Sequence, residues 1–488
     1  MQQPQCTSDL LKKRPVRFDW KTFIKGVALI AIPVALQNLL STTGTMVDTM
    51  MIARLGENTV GAVGLCAQYS NLMLAGYWGF VGGGTLFISQ YWGAQDEEGI
   101  CRSYGLIWTC IMTVGLIFSG LALFAPQLIM RLYTDKVAIQ EIGISYLKIV
   151  GFAYPLQLFS IAASTLLRAT ERVRIPLYAA MASVFTNIFL NWVLIYGNLG
   201  CPALGVRGAA IATVCAAAVN LSIIFIVCLI IKYPYIFRFR AHFRWVGPKV
   251  REFFIRCFPI ILNEVFLGIG NMTVNVVLGR QSEQTIAALA VFRTLEGLII
   301  GFFAGFSSAS SVLVGKDVGA GKLDDAYERA KRLIPLCVLT IAVAGLLINL
   351  FKPQFLRIMS LSGQSFEIAS YIIFVFTIVA VIRMGNWCMN DTYRASGDAV
   401  TGTVLEIVFM YLMVIPAVCI AGLKMKVSIY VLFPIVYCDE IIRFVIMFVH
   451  LHSGRWIRPV TDLGKAQLQD FRKARGGRRN RKTTTYFC

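Results

Sequence analysis

The sequence predicts an all-α polytopic membrane protein of twelve transmembrane helices arranged as two parallel six-helix repeats, on three observations. Of its 488 residues 57% are hydrophobic and 15% charged, against roughly 45–50% and about 25% in soluble domains, and the mean hydropathy is +0.67. Crossing a hydrocarbon core of about 30 Å takes about 20 mostly apolar residues in a helix, and twelve stretches of that kind occur. The chain also matches itself without a gap at an offset of 226 residues: Pro33 falls on Pro259, Arg54 on Arg280, Glu57 on Glu283, Gly79-Phe80 on Gly305-Phe306, Gly93-Ala94 on Gly319-Ala320 and Arg168-Ala169 on Arg394-Ala395. A register held over that distance marks a duplicated unit.

In order, the spans cover 24–50, 59–88, 104–125, 143–165, 176–197 and 207–231, then 253–278, 285–314, 331–351, 368–392, 401–422 and 428–450. Each is bounded by charge, Gly or Pro, and several are interrupted by Gly or Pro. Six spans per copy return the chain to the side where it began, so both copies enter the membrane in one direction, related by an axis along its normal. The chain divides into an N-terminal segment 1–23, a first lobe 24–231, an inter-lobe linker 232–252, a second lobe 253–450 and a basic tail 451–488. No polar linker separates soluble domains.

Lys and Arg set the orientation. With the N-terminus cytoplasmic, the segments on that side hold 33 of the 46 basic residues, which places both termini in the cytoplasm of a cell membrane and explains the net charge of +20 by attraction to anionic lipid. The Arg-rich tail, Arg472 to Lys482, needs no nucleic acid to account for it. Trp20, Trp92, Trp245 and Trp456 fall beside span ends, where indole rings favour the interface. The polar, basic start, without a short apolar core and a small-residue cleavage site, is expected not to act as a removable signal peptide. Thirteen cysteines without CxxC spacing read as small apolar residues, and the terminal Cys488 is no prenylation site.

Nothing in the chain supplies chemistry or a nucleotide. The stretch Gly315 to Lys322 has Lys316 where the first phosphate-loop Gly belongs and Leu323 where a hydroxyl would bind magnesium. The three histidines, His242, His450 and His452, have no metal-ligand spacing on a span. The expectation is a secondary transporter rather than an enzyme, with no cofactor, driven by a proton or sodium gradient. Its expected partners are a small-molecule substrate and membrane lipids, with no obligatory protein partner.

Ionisable residues inside spans each cost at least a few kcal/mol unless paired or facing water, roughly 2.5–3.5 kcal/mol on insertion scales, so they carry the functional reading. The chain has Asp48, Glu264, Arg293, Glu296, Arg383, Asp391, Glu406, Asp439, Glu440 and Arg443. Arg293 with Glu296, Glu440 with Arg443 and Asp391 with Arg394 are three apart and can neutralise each other on one helix face. Glu406, in the first turns of span 11, is expected shallow enough to reach headgroups. Asp48 and Glu264 lack a local partner and lie deep in spans 1 and 7, which suits ion or substrate coupling. At equal depth in the other copy Asp48 meets Val274, Glu264 meets Asn38, Arg383 meets Gln157, Asn187 meets Met413 and Asn191 meets Ala417. The lobes share a skeleton but not their polar interiors.

Ala31-Ile-Pro33 through Asn38, Met46-Val47-Asp48-Thr49, Ile88-Ser-Gln90-Tyr-Trp-Gly93-Ala94, Leu167-Arg168-Ala169, Asn187-Ile-Phe-Leu-Asn191 and Pro202 through Gly205 to Thr213 together resemble the first lobe of multidrug and toxic compound extrusion (MATE) transporters. Pro259 through Asn263-Glu264, Val314-Gly315 to Gly321, Arg394-Ala395 to Asp398 and Asp439-Glu440-Ile-Ile-Arg443 continue it in the second. The resemblance covers about residues 24–460 and implies an ion-coupled antiporter: two lobes around a central cavity that opens alternately to the two sides and exports amphipathic, drug-like compounds. It implies an ion site in the first lobe at Asp48, Asn187, Asn191 and Thr213, with sodium or a proton at Asp48, and a coupling role in the second for Glu264 and Arg383. Two departures stand out. Asn191 replaces a second first-lobe acid, and Arg383 stands in the neighbourhood where some sodium-linked members carry an Asp; it could pair with Glu264 or attract an anionic substrate. The alternatives are a flippase for a lipid-linked saccharide and, from another class, an integral-membrane enzyme.

Overall fold

The computed structural model describes residues 19–359 and 361–484; the start of the N-terminal segment and Cys488 lie outside them. Among the described residues ten helices are long and apolar enough to cross a membrane: Trp20–Ala53, Glu57–Ala94, Glu97–Phe124, Arg174–Tyr196, Val206–Ile230, Gly247–Leu278, Glu283–Gly319, Leu323–Ile358, Gly363–Ala395 and Ala399–Lys424. Between the third and fourth of these, Val137–Val150 and Ala153–Ala169 form one more span bent by 50°, and Ile429–Ile435 with Glu440–Ser453 complete the second repeat. In chain order these are spans 1 to 12.

The helices outrun the apolar stretches. Span 2 has 38 residues, about 57 Å at 1.5 Å per residue, so Gln90 and Gly93, placed by hydropathy in a loop, are helical. A hydropathy window sees only the lipid-exposed part; beyond it, helices continue by packing on one another. The junctions are made by local chemistry. Gln95 adopts the left-handed conformation, φ 56°, and turns span 2 into span 3, which Asp96 caps by accepting the Gly99 N–H at 2.8 Å. Ser282 accepts the Thr285 N–H at 3.3 Å at the head of span 8. Span 12 unwinds over 436–439, after Pro434 withholds a helical N–H.

The lobes meet where the repeat preserves glycine. A Cβ on Gly79 of span 2 would strike Ile261 of span 7, and one on Gly305 of span 8 would strike Ala31 and Ala35 of span 1. Nearer the end carrying the chain termini, the basic end, a Cβ on Gly93 would strike the Lys316 carbonyl and one on Gly319 the Gln90 carbonyl. Since Ile261, Gly305, Lys316 and Gly319 lie 226 residues after Ala35, Gly79, Gln90 and Gly93, these contacts are images of each other about the repeat axis. Around them the Gln90 amide donates to the Ala395 carbonyl and accepts the Val460 N–H, both at 2.8 Å, Lys316 Nζ lies 2.7 Å from Glu171, and Trp92 Nε1 donates to Glu171 at 3.2 Å. The lobes are thus bolted together at the basic end. Gly93→Val is expected to lower stability by about 1–3 kcal/mol through overpacking, read as a lower melting temperature in detergent; Gly120→Val, where nothing lies within 4 Å, should melt like the wild type.

Other segments at that end are docked rather than loose. In the linker His242 is buried, its Nε2 2.7 Å from the Tyr235 carbonyl; burial pushes its pKa down, against the pull of that hydrogen bond. Trp456 is fully buried, with its indole N–H donated to the Leu451 carbonyl at 2.8 Å, and so is not the interfacial anchor its position suggests. Trp20 and Trp245 are exposed, at 51% and 42%. Asp398, between spans 10 and 11, is completely buried: burial pushes its pKa up, but hydrogen bonds from His450 and Thr401 and the charge of Arg458 outweigh it and hold the carboxylate below its usual range. The basic tail continues as a helix, Asp462–Thr484.

Candidate functional site

In the first lobe, Asn187 and Asn191 lie one turn apart on span 5 and so share a face. Asn191, fully buried, donates from Nδ2 to Asp48 Oδ1 at 2.6 Å and to Asn187 Oδ1 at 3.1 Å. Span 6 brings Thr213 to the same cavity, of about 370 Å³, lined by Asp48 and Asn187 as well; its hydroxyl donates to the Ala209 carbonyl at 3.0 Å. Asp48 has no Lys, Arg or His within ion-pair distance among the described residues, and Asn191 Oδ1 is buried without a hydrogen-bond partner. Asp48, Asn187 and Thr213 offer the cavity a carboxylate, an amide oxygen and a hydroxyl, hard oxygens of the kind that bind a sodium ion, and the carboxylate alone fits a proton. The structure therefore brings together all four residues singled out in this lobe.

The second lobe is arranged on the opposite principle. Four arginines and four carboxylates line a cavity of about 230 Å³ between spans 7, 8, 10, 11 and 12, and two further carboxylates, Glu296 and Asp391, join them through ion pairs. Three ion pairs expected from sequence are present: Arg293–Glu296 at 2.5 Å, Arg443–Glu440 at 2.7 Å and Arg394–Asp391 at 3.6 Å. They are not isolated. Arg394 also reaches Glu264 at 3.4 Å and Glu406 at 3.8 Å; Arg443 reaches Asp439 at 3.0 Å and Glu406 at 3.6 Å. Asp391 additionally accepts the Ser307 hydroxyl. Such a network offsets desolvation by sharing each charge among several partners.

Two expectations are corrected here. Arg383 does not pair with Glu264. It lies 3.6 Å from Glu296 and 3.8 Å from Glu440, with its guanidinium 5.1 Å from the Tyr437 ring centroid, because Glu264 sits at the level of Arg394, three turns and about 16 Å further along span 10. Glu406 does not reach headgroups: its side chain is 15% exposed and accepts the Asn263 amide at 2.8 Å.

Between the lobes lies a third cavity, of about 720 Å³, within the range of about 300–1,000 Å³ typical of small-molecule sites. Asn38, Thr42, Thr45 and Trp78 line it from the first lobe, with Arg168, and Glu264, Asp391 and Arg394 from the second. Asn38 spans the lobes, donating to the Gly301 carbonyl at 3.1 Å. Sequence reasoning gives Arg394 only its local partner Asp391 and gives Arg168 no role. Their identity across the repeat was the available signal.

A model of the MatE family matches residues 33–193 and 259–420, two stretches that begin 226 residues apart. The chain is 23% identical over 412 residues to the uncharacterized transporter YisQ of Bacillus subtilis strain 168, covering 84% of this chain and 90% of that protein. It is 23% identical over 438 residues to the probable multidrug resistance protein NorM of Thermotoga maritima, covering 88% and 93%. Among solved structures, one of MATE in complex with MaL6 superposes with a TM-score of 0.80 at 18% identity, over 88% of this chain and 96% of that one. An outward-facing multidrug resistance MATE transporter superposes at 0.78 and 18% identity, over 89% and 97%.

Proposed function

The chain belongs to the MatE family, and from that premise we propose that it is an ion-coupled antiporter that exports amphipathic, drug-like organic compounds across the cell membrane by alternating access. The observation that carries the reading is the first-lobe carboxylate, Asp48, held by Asn191 inside a membrane span with no cation within ion-pair distance among the described residues. A lone charge there is costly unless it binds something in the transport cycle. Proton or sodium binding at Asp48, with Asn187, Asn191 and Thr213 around it, supplies the energy. The central cavity takes the substrate, and the contacts among Gln90, Gly93, Lys316 and Gly319 form the closed gate. In this reading the basic end faces the cytoplasm, with both termini.

Glu264 is a coupling residue in the second lobe, since it lines the central cavity and grips Arg394 at once. Arg383 contributes by fixing spans 8 and 12 to span 10. A flippase for lipid-linked saccharides would call for a strongly basic cavity, and the central cavity is lined by as many acids, Glu264 and Asp391, as arginines.

The test is transport by the purified chain in proteoliposomes, with a proton and a sodium gradient imposed separately and a fluorescent amphipathic dye followed. Dye movement that follows one of the gradients is expected. Movement indifferent to both would overturn ion coupling.

A further inference from the structure

The two arginines that the repeat preserves have opposite surroundings. Arg394 lies within ion-pair distance of three carboxylates, Glu264, Asp391 and Glu406. The residues at the same positions of the first lobe are Asn38, Thr165 and Ala180, all neutral. Arg168 consequently has no ion pair and no side-chain hydrogen bond among the described residues, and its Nε is buried without a partner. It lines both the first-lobe cavity and the central cavity. The other charges on the central cavity, Glu264, Asp391 and Arg394, are committed to one another, and Asp48 in the adjoining cavity is bound to Asn191.

A guanidinium stays charged at any physiological pH, and burying it unpaired is strongly unfavourable. Its planar fork matches a carboxylate or sulfonate with two parallel hydrogen bonds. Trp78, half-exposed in the same cavity and stacked on Tyr77 at 5.5 Å, offers an aromatic face to the rest of such a molecule.

We infer that Arg168 is the docking point for the negative group of the transported compound, so that the substrates of this chain include amphipathic organic anions, carboxylates or sulfonates with an aromatic or apolar body. The inference rests on the exporter reading for the word substrate, but not on ion coupling. The cation of the first lobe, left without a counter-ion by the protein, receives one from the cargo.

Equilibrium binding by the full-length protein in detergent, without any gradient, separates the two claims. With carboxyfluorescein followed by fluorescence anisotropy, Arg168→Gln is expected to weaken binding roughly 10–100-fold, the value of a charge-assisted contact. Arg168→Lys, which keeps the charge and loses the fork, should recover part of that loss, while ethidium, a cation of similar bulk, should bind Arg168→Gln as well as the wild type or better. Equal carboxyfluorescein affinity in wild type and Arg168→Gln would overturn the inference, as would an equal loss for ethidium. If Arg168→Gln is not monodisperse, wild-type selectivity decides. Displacement of carboxyfluorescein by naphthalene sulfonate and not by ethidium supports the anion site; equal displacement by both overturns it. Displacement only by phosphatidic acid in mixed micelles would assign Arg168 to a lipid headgroup and overturn the soluble-anion class. Anion binding that survives alongside gradient-indifferent transport would sink the antiporter reading and leave this one standing.

Discussion

Asp48→Asn is expected to slow gradient-driven transport by about 100-fold, within the roughly 5–150-fold that coupling energies of about 1–3 kcal/mol represent. The substitution is nearly isosteric, and the Asn191 Nδ2 donor that reaches Asp48 Oδ1 at 2.6 Å still finds a carbonyl oxygen there. Folding therefore changes little. What disappears is the one carboxylate lining that cavity among the described residues, the group that would bind a proton or neutralise a sodium ion. A ligand with equal affinity for two conformations shifts neither, so an ion that can no longer bind cannot bias the lobes. Initial rates under the driving gradient, measured beside the melting temperature in detergent, make the check. Wild-type rates in Asp48→Asn would remove the first-lobe site from the mechanism.

Arg394→Gln is expected to produce the largest loss of stability in the molecule, about 3–5 kcal/mol, as for a buried ion pair broken by removing one partner. Three carboxylates, Glu264, Asp391 and Glu406, would lose their common cation at once. The guanidinium is only 11% exposed, so water does little to replace it. Adding Glu264→Gln to the variant should recover part of the loss, because partners in one network are not additive. Arg293→Gln is the comparison: its side chain is 43% exposed, and about 1 kcal/mol or less is at stake for such a pair. Equal melting temperatures for Arg394→Gln and wild type would show that the network is dispensable.

Much of this architecture is legible in sequence because the bilayer is a simple solvent. It demands runs of apolar residues, it biases Lys and Arg, and duplication prints the same prolines and glycines twice. The first-lobe polar cluster was legible too: Asp48, Asn187 and Asn191 are polar residues where the other copy has Val274, Met413 and Ala417, and a difference at equal depth is a signal in itself. The second-lobe network was legible only in part. Pairs three residues apart follow from helix geometry, as with Arg293 and Glu296, but the partners of Arg383 and Glu406 depend on how spans 8, 10, 11 and 12 rotate against each other, which no local pattern encodes. Arg168 illustrates the opposite failure. Its preservation across the repeat marked it as scaffold, whereas its importance comes from what was not preserved around it.

The paired contacts at the basic end have a historical reading. Gly93 meets Lys316 while Gly319 meets Gln90, residue i against j and j against i, which is the signature of an isologous dimer interface. The present chain is in effect such a dimer fused head to tail, with Gly93 and Gly319 close to the dyad of a six-span homodimeric ancestor. In that ancestor every residue existed twice, and an acid or a base introduced on one side appeared on the other. Fusion released the halves from that constraint. One copy could then keep an arginine bare while the other surrounded its counterpart with acids, a division of labour that a strictly symmetric assembly cannot evolve.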